Sequence, residues 1–134
     1  MVFEYVGRKS LLGSNLENLD QSELKETSHS KLQKLDVSNC EFGGRGLLTF
    51  FRQISSSKTL KHLICDDNHL TQISGLQDRF SNYIGQSIGH NGSIVSLSLK
   101  NCEINDDLAS SISYGLSLNT NLEFVNLSKN SITC

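Results

Sequence analysis

The residues best suited to chemistry fall in three short clusters. Asp66, Asp67, Asn68 and His69 run consecutively and offer two carboxylates, an amide and an imidazole, a donor set that looks like a metal site on paper. Gly43, Gly44, Arg45 and Gly46 suggest a phosphate loop. That run lacks both the Gly-Lys-Ser/Thr ending and the strand-helix context of a dinucleotide site. Arg45 alone could act in trans on a nucleotide held by another protein. The four cysteines, Cys40, Cys65, Cys102 and Cys134, form no CxxC or CxxxC pair, so zinc-ribbon spacing is missing. Serines, histidines and aspartates occur without a spacing that argues a triad. Asn91-Gly-Ser and Asn126-Leu-Ser match the glycosylation pattern, and both read as incidental in a chain with no visible secretory signal.

A repeat explains most of these residues more cheaply. Four segments share the form L-x-x-L-x-L-x-x-(N/C)-x-L: LQKLDVSNCEF from Leu32, LKHLICDDNHL from Leu60, IVSLSLKNCEI from Ile94 and LEFVNLSKNSI from Leu122. The fourth and sixth positions are Leu35 and Val37, Leu63 and Cys65, Leu97 and Leu99, Val125 and Leu127. Residues two apart on a strand point to one face, so these anchors line the inside of a stack. The ninth position is Cys40, Asn68, Cys102 and Asn130. Asn there serves the backbone groups of the bend after the strand, and Cys is a small buried filler. Asn68 is therefore a repeat residue rather than a ligand, and Cys40 and Cys102 are structural thiols.

The repeat starts are 28, 34 and 28 residues apart, and the segments between them are helical. Leu47, Leu48, Phe51 and Ile54 recur at helical spacing, as do Leu108, Ile112 and Leu116 behind the helix-start residues Asn105, Asp106 and Asp107. A middle helix is expected from about Asp78 to Gly89, with Phe80, Ile84 and Ile88 inward and Gly89 and Asn91 ending it in a left-handed conformation. The six surplus residues of the middle repeat belong in Leu70 to Gln77, as a binding edge or as a tolerated loop. Residues 1–31 fit the repeat poorly. Phe3 and Val6 are the only strand anchors there, followed by a stripe of Leu11, Leu12, Leu16, Leu19 and Leu24, and the segment reads as a degenerate first repeat or cap. Residues 32–134 hold three strand-helix units plus a final strand and turn. The expected fold is α/β: a leucine-rich repeat solenoid with a curved parallel sheet on the concave side and helices on the convex side.

Composition fits a soluble domain: 37% hydrophobic and 19% charged residues exclude a disordered chain. A net charge of -2 argues against nucleic acid as partner, and the short apolar runs exclude membrane insertion by a helix. Unpaired cysteines and no secretory signal point to the cytoplasm.

The period of 28, the CEF and CEI motifs, the Gly43, Gly44 and Gly46 turn and the Asn-x-x-Leu step from Asn119 to Leu122 resemble the ribonuclease-inhibitor-like class of leucine-rich repeats. The resemblance covers residues 32–134. It implies protein binding, and the residues weighed above give no catalytic residue, metal or cofactor. Cysteines are fewer and acidity is weaker than in ribonuclease inhibitor, so inhibition of a basic ribonuclease is not implied. The surface expected to bind is the concave face beside the anchors: Lys34, His62, Ser96 and Phe124 at the third position, Asp36, Ile64, Ser98 and Asn126 at the fifth, and Ser38, Asp66, Lys100 and Ser128 at the seventh. The expected function is a non-enzymatic scaffold, part of a longer protein, with an apolar C-terminal end that packs on another chain or on further repeats. The alternative is a GTPase activator of the Ran-activator type, with Arg45 as its acting residue.

Overall fold

The computed structural model describes residues 3–6, 32–41, 44–70 and 77–133, and side chains within 32–41, 49–70 and 82–133. Strands β1 (Phe3–Val6), β2 (Leu32–Asp36), β3 (His62–Ile64), β4 (Ser96–Ser98) and β5 (Phe124–Asn126) form one parallel sheet in chain order. Helices α1 (Gly44–Ser55), α2 (Gln77–His90) and α3 (Asp106–Leu118) link β2 to β5. This is an α/β repeat fold. β1 pairs in parallel with β2, so the poorly matching N-terminal segment does supply a strand at Phe3–Val6. The leucine stripe from Leu11 to Leu24 and the side chains of Phe3, Val6, Phe42, Leu47, Leu48 and Phe80 lie outside the described residues.

The register copies the repeat. Lys34 pairs with His62, His62 with Ser96 and Ser96 with Phe124, and all four hold the third position. The longer middle repeat does not shift it. Ile64 and Gln77 stand thirteen positions apart, against eight from Asp36 to Gly44 and from Ser98 to Asp106, so the surplus falls almost wholly between β3 and α2.

Anchors and helices bury one another. Leu35, Val37, Leu63, Cys65, Leu97 and Leu99 share a core with Phe50, Phe51 and Ile54 of α1, Ile84 and Ile88 of α2, and Leu108 and Ile112 of α3. In β5 the same slots, Val125 and Leu127, are only half-buried, and Ile132 is 36% exposed where Leu70 and Ile104 are at 0%. Burial of an aliphatic side chain is worth about 1.5–3 kcal/mol, so the first three described units carry most of the hydrophobic stabilisation.

Two rows of polar side chains join neighbouring repeats. In the first, the Asn68 amide donates to the Val37 and Cys65 carbonyls at 3.0 and 2.9 Å, and its oxygen accepts the Cys40 N–H at 3.1 Å. Asn130 treats the next pair alike: it donates to Leu99 and Leu127 and accepts from the N–H groups of Cys102 and Ile104. The Cys102 thiol donates to the Cys65 carbonyl at 3.1 Å, which ties the second unit to the third. In the second row, Asn91 donates to the Ile54 carbonyl at 2.8 Å and accepts from Ser93 and Ile94. Asn119 donates to the Ile88 and Asn91 carbonyls and accepts from Asn121 and Leu122. Ser57 occupies this slot in the first unit, where its hydroxyl accepts the Leu60 N–H.

Two local expectations need correction. Neither Gly89 nor Asn91 is left-handed: Gly89 lies inside α2, which runs on to His90, and the Asn91 amide closes the helix end instead. Gly44 and Gly46 lie within the first turn of α1 rather than in a turn before it. Left-handed residues fall at the eighth position of every repeat, Asn39, Asp67, Asn101 and Lys129 with φ of 50, 56, 54 and 58°, and at the tenth position of two, Glu41 and Glu103 with φ of 50 and 57°. Asn and Asp tolerate that region best, and Lys129, Glu41 and Glu103 are the exceptions.

The expected cap at α3 is present, with the Asn105 side-chain Oδ1 accepting the Leu108 N–H at 3.0 Å. Helices α2 and α3 meet backbone to backbone. A Cβ on Gly85 would sit 2.3 Å from the Ser111 carbonyl oxygen, and one on Gly115 would sit 2.2 Å from the Gly85 oxygen. Only glycine permits this approach.

Candidate functional site

The third, fifth and seventh positions alternate with the buried anchors, so their side chains stand on the face of the sheet opposite helices α1, α2 and α3. All twelve residues singled out from the sequence come together there as three rows. In the first row His62 is exposed, Lys34 and Ser96 are half-buried and Phe124 is 58% exposed. In the second, Asp36, Ile64, Ser98 and Asn126 are all half-buried. In the third, Ser38, Asp66 and Lys100 are half-buried and Ser128 is exposed.

Several polar members of these rows are already occupied. Asp36 accepts the Ser38 N–H at 3.0 Å, and Asn126 accepts the Ser128 N–H at 3.0 Å and its hydroxyl at 2.7 Å. A fifth-position side chain thus serves the seventh-position amide of its own repeat. Ser98 is too short for that role, and Asp66 of the preceding repeat replaces it. Its carboxylate accepts the Lys100 N–H at 2.9 Å and the Ser98 hydroxyl at 2.6 Å. Asp66 is therefore part of the scaffold. Phe124 and Ile64 give the face its apolar points, and Lys34 and Lys100 its cations.

The paper metal cluster is dispersed among neighbours. Asp66 faces Ser98 and Lys100, Asp67 accepts from the Asn101 amide at 2.8 Å, Asn68 reaches back to the first unit, and His69 lies 2.9 Å from Glu103. Among the described residues no group of three His, Cys, Asp or Glu could hold a metal ion. Arg45 has its backbone in the first turn of α1, and its side chain lies outside the described residues.

Cys40, Cys65 and Cys102 are free and buried. Burial pushes the Cys65 thiol well above its ordinary range, and the nearby Cys102 and Asp66 add to the effect. Burial raises Cys102 to about 11 and also raises Cys40, with Asp36 contributing. The thiolate is the nucleophile, so these groups are inert at neutral pH. A cavity of about 20 Å³ lies between sheet and helices, lined by Phe51, Leu63, Ile88 and Leu97 among others, with room for little more than one water. No helix among the described residues is long and apolar enough to cross a membrane.

The sequence signal for the face was the alternation itself. Two features escaped it. One is the exposed pair Tyr114 and Leu118, one turn apart on the outside of α3, at 60% and 46% exposure. The other is the role of Asp66, which depends on a neighbour 32 residues away.

Residues 31–53, covering β2 and most of α1, match the family model described as Leucine Rich Repeat. No curated protein matches the chain. The match supports a leucine-rich repeat protein.

Proposed function

Starting from a chain with leucine-rich repeat character, we propose a non-enzymatic protein-interaction module that binds its partner on the face of the sheet opposite helices α1, α2 and α3. Leucine-rich repeats generally act as interaction modules, and extended repeat surfaces are used in this way. The observation that carries the proposal is the exposure of Phe124. It stands 58% open at the end of a row of small and polar residues, on strand β5 beside Ser96 of β4. An aromatic side chain set among near-neutral polar contacts is the usual composition of a binding hot spot. Ile64, half-buried two strands away, adds a second apolar point.

In this reading the face is concave, the module belongs to the ribonuclease-inhibitor-like class, and it works as a cytoplasmic scaffold within a longer protein. The half-buried anchors Leu122, Val125 and Leu127 would then be covered by another chain or by further repeats. The test uses the chain as bait for a partner protein. Phe124→Ser together with Ile64→Thr should abolish capture while the fold is retained by circular dichroism. Undiminished capture by that variant would refute the assignment to this face.

A further inference from the structure

We propose that Asn91 is a site of spontaneous deamidation that the folded chain protects, and that its conversion locks open the joint between α2 and β4. Asn91-Gly92 is the one Asn-Gly pair in the 134 residues. Glycine leaves the following backbone nitrogen unhindered. That nitrogen attacks the Asn91 Cγ, and a C–N bond forms as the Gly92 amide proton passes to a solvent base. The Cγ–Nδ2 bond breaks, and the leaving nitrogen departs as ammonia. Water then opens the cyclic imide at either carbonyl and gives aspartate or isoaspartate. The overall change is amide plus water to carboxyl plus ammonia, and no oxidant or enzyme is needed.

The fold opposes this reaction at each step. Asn91 is only 4% exposed. Its Nδ2, the leaving nitrogen, is held by the Ile54 carbonyl at 2.8 Å and the Ser57 carbonyl at 3.5 Å. Its Oδ1 accepts from the Ser93 and Ile94 N–H groups at 2.9 and 2.8 Å and from the Ser93 hydroxyl at 3.3 Å. Rotation of Cγ toward the Gly92 nitrogen must break this set. Attack therefore proceeds from a locally opened state, and its rate follows the population of that state.

The product cannot re-form the joint. An aspartate keeps the acceptor for Ser93 and Ile94 but turns an oxygen toward the Ile54 and Ser57 carbonyls, where two donated hydrogen bonds stood. Isoaspartate also lengthens the main chain by one carbon at this bend. Asn91 carries a second connection, since its own carbonyl accepts from the Asn119 amide at 2.9 Å. The lesion would therefore loosen the polar row on both sides.

The experiment incubates the full chain at mildly alkaline pH, native and in guanidinium, and follows the peptide containing Asn91 by mass spectrometry. Asn91 should convert in the unfolded chain and be protected at least roughly tenfold in the native one. Gly92→Ala, whose new Cβ would make ordinary contact at 3.5 Å with the Asn121 amide, should slow conversion in guanidinium. Asn91→Asp should unfold at a lower denaturant midpoint than the wild type. Equal rates in the two states, an unchanged rate for Gly92→Ala, or a wild-type midpoint for Asn91→Asp would each overturn the proposal.

Discussion

Replacing Asn68 with alanine should cost about 3–5 kcal/mol, more than any other single polar substitution in the first row. Its amide is 1% exposed and holds the Cys40 N–H, the Val37 carbonyl and the Cys65 carbonyl. The Cys65 carbonyl keeps a weak donor in the Cys102 thiol, but among the described residues the other two groups have no second partner of comparable strength. A buried polar group left unsatisfied costs about 1–3 kcal/mol, so two of them give roughly 2–6 kcal/mol before the lost packing is added. Water cannot enter to replace the amide without opening the core. Asn130 makes the equivalent bonds and one more, from the Ile104 N–H, but is half-buried, so water can substitute and Asn130→Ala should lose only about 1 kcal/mol. Asn68→Asp keeps the acceptor and loses both donors, and at neutral pH it should be at least as damaging as alanine. Equilibrium unfolding in urea, followed by circular dichroism, measures all three variants. A loss below about 1 kcal/mol for Asn68→Ala, or equal losses at Asn68 and Asn130, would refute the reasoning.

Other outcomes follow from the same geometry. Gly85→Ala and Gly115→Ala should each cost about 1–3 kcal/mol by forcing α2 and α3 apart, whereas Gly89→Ala, with its nearest contact at 3.3 Å, should be close to neutral; thermal melts rank the three. The raised thiols set a limit on the alkaline side. A proton held more tightly in the folded state stabilises fully below the unfolded thiol range near 9 and loses that contribution as pH rises through the folded value, about 11 for Cys102. Stability should therefore be flat up to about pH 8.5 and then fall, by up to about 1.4 kcal/mol per pH unit for each fully buried thiol, and a Cys102→Ala variant should show a shallower fall. In the native chain, Cys65 and Cys102 should resist a thiol reagent at pH 7 and react only on unfolding, which a colorimetric thiol assay reads directly.

The strands and their face were legible because a period of two, fixed by anchors such as Leu63 and Cys65, leaves the intervening residues only one side to occupy. The register was legible for the same reason, and the insertion could be placed before α2 because neither strand nor helix tolerates six extra residues in mid-pattern. What escaped depended on contacts between repeats. Asn91 looks like a helix terminator from its neighbours Gly89 and Gly92, yet it acts through Ile54, 37 residues earlier. Gly85 and Gly115 look like weak points of two helices until the helices are placed against each other. The left-handed eighth position was concealed by its variety, since Asn39, Asp67, Asn101 and Lys129 share a backbone conformation but no single side chain.

The central claim, that the sheet face opposite helices α1, α2 and α3 binds a protein, is tested most directly by comparing partner capture by two folded variants. One alters the face at Phe124 and Ile64, and the other alters the outside of α3 at Tyr114 and Leu118. The account predicts that the first loses the partner and the second keeps it. A partner retained by the face variant and lost by the helix variant would contradict it.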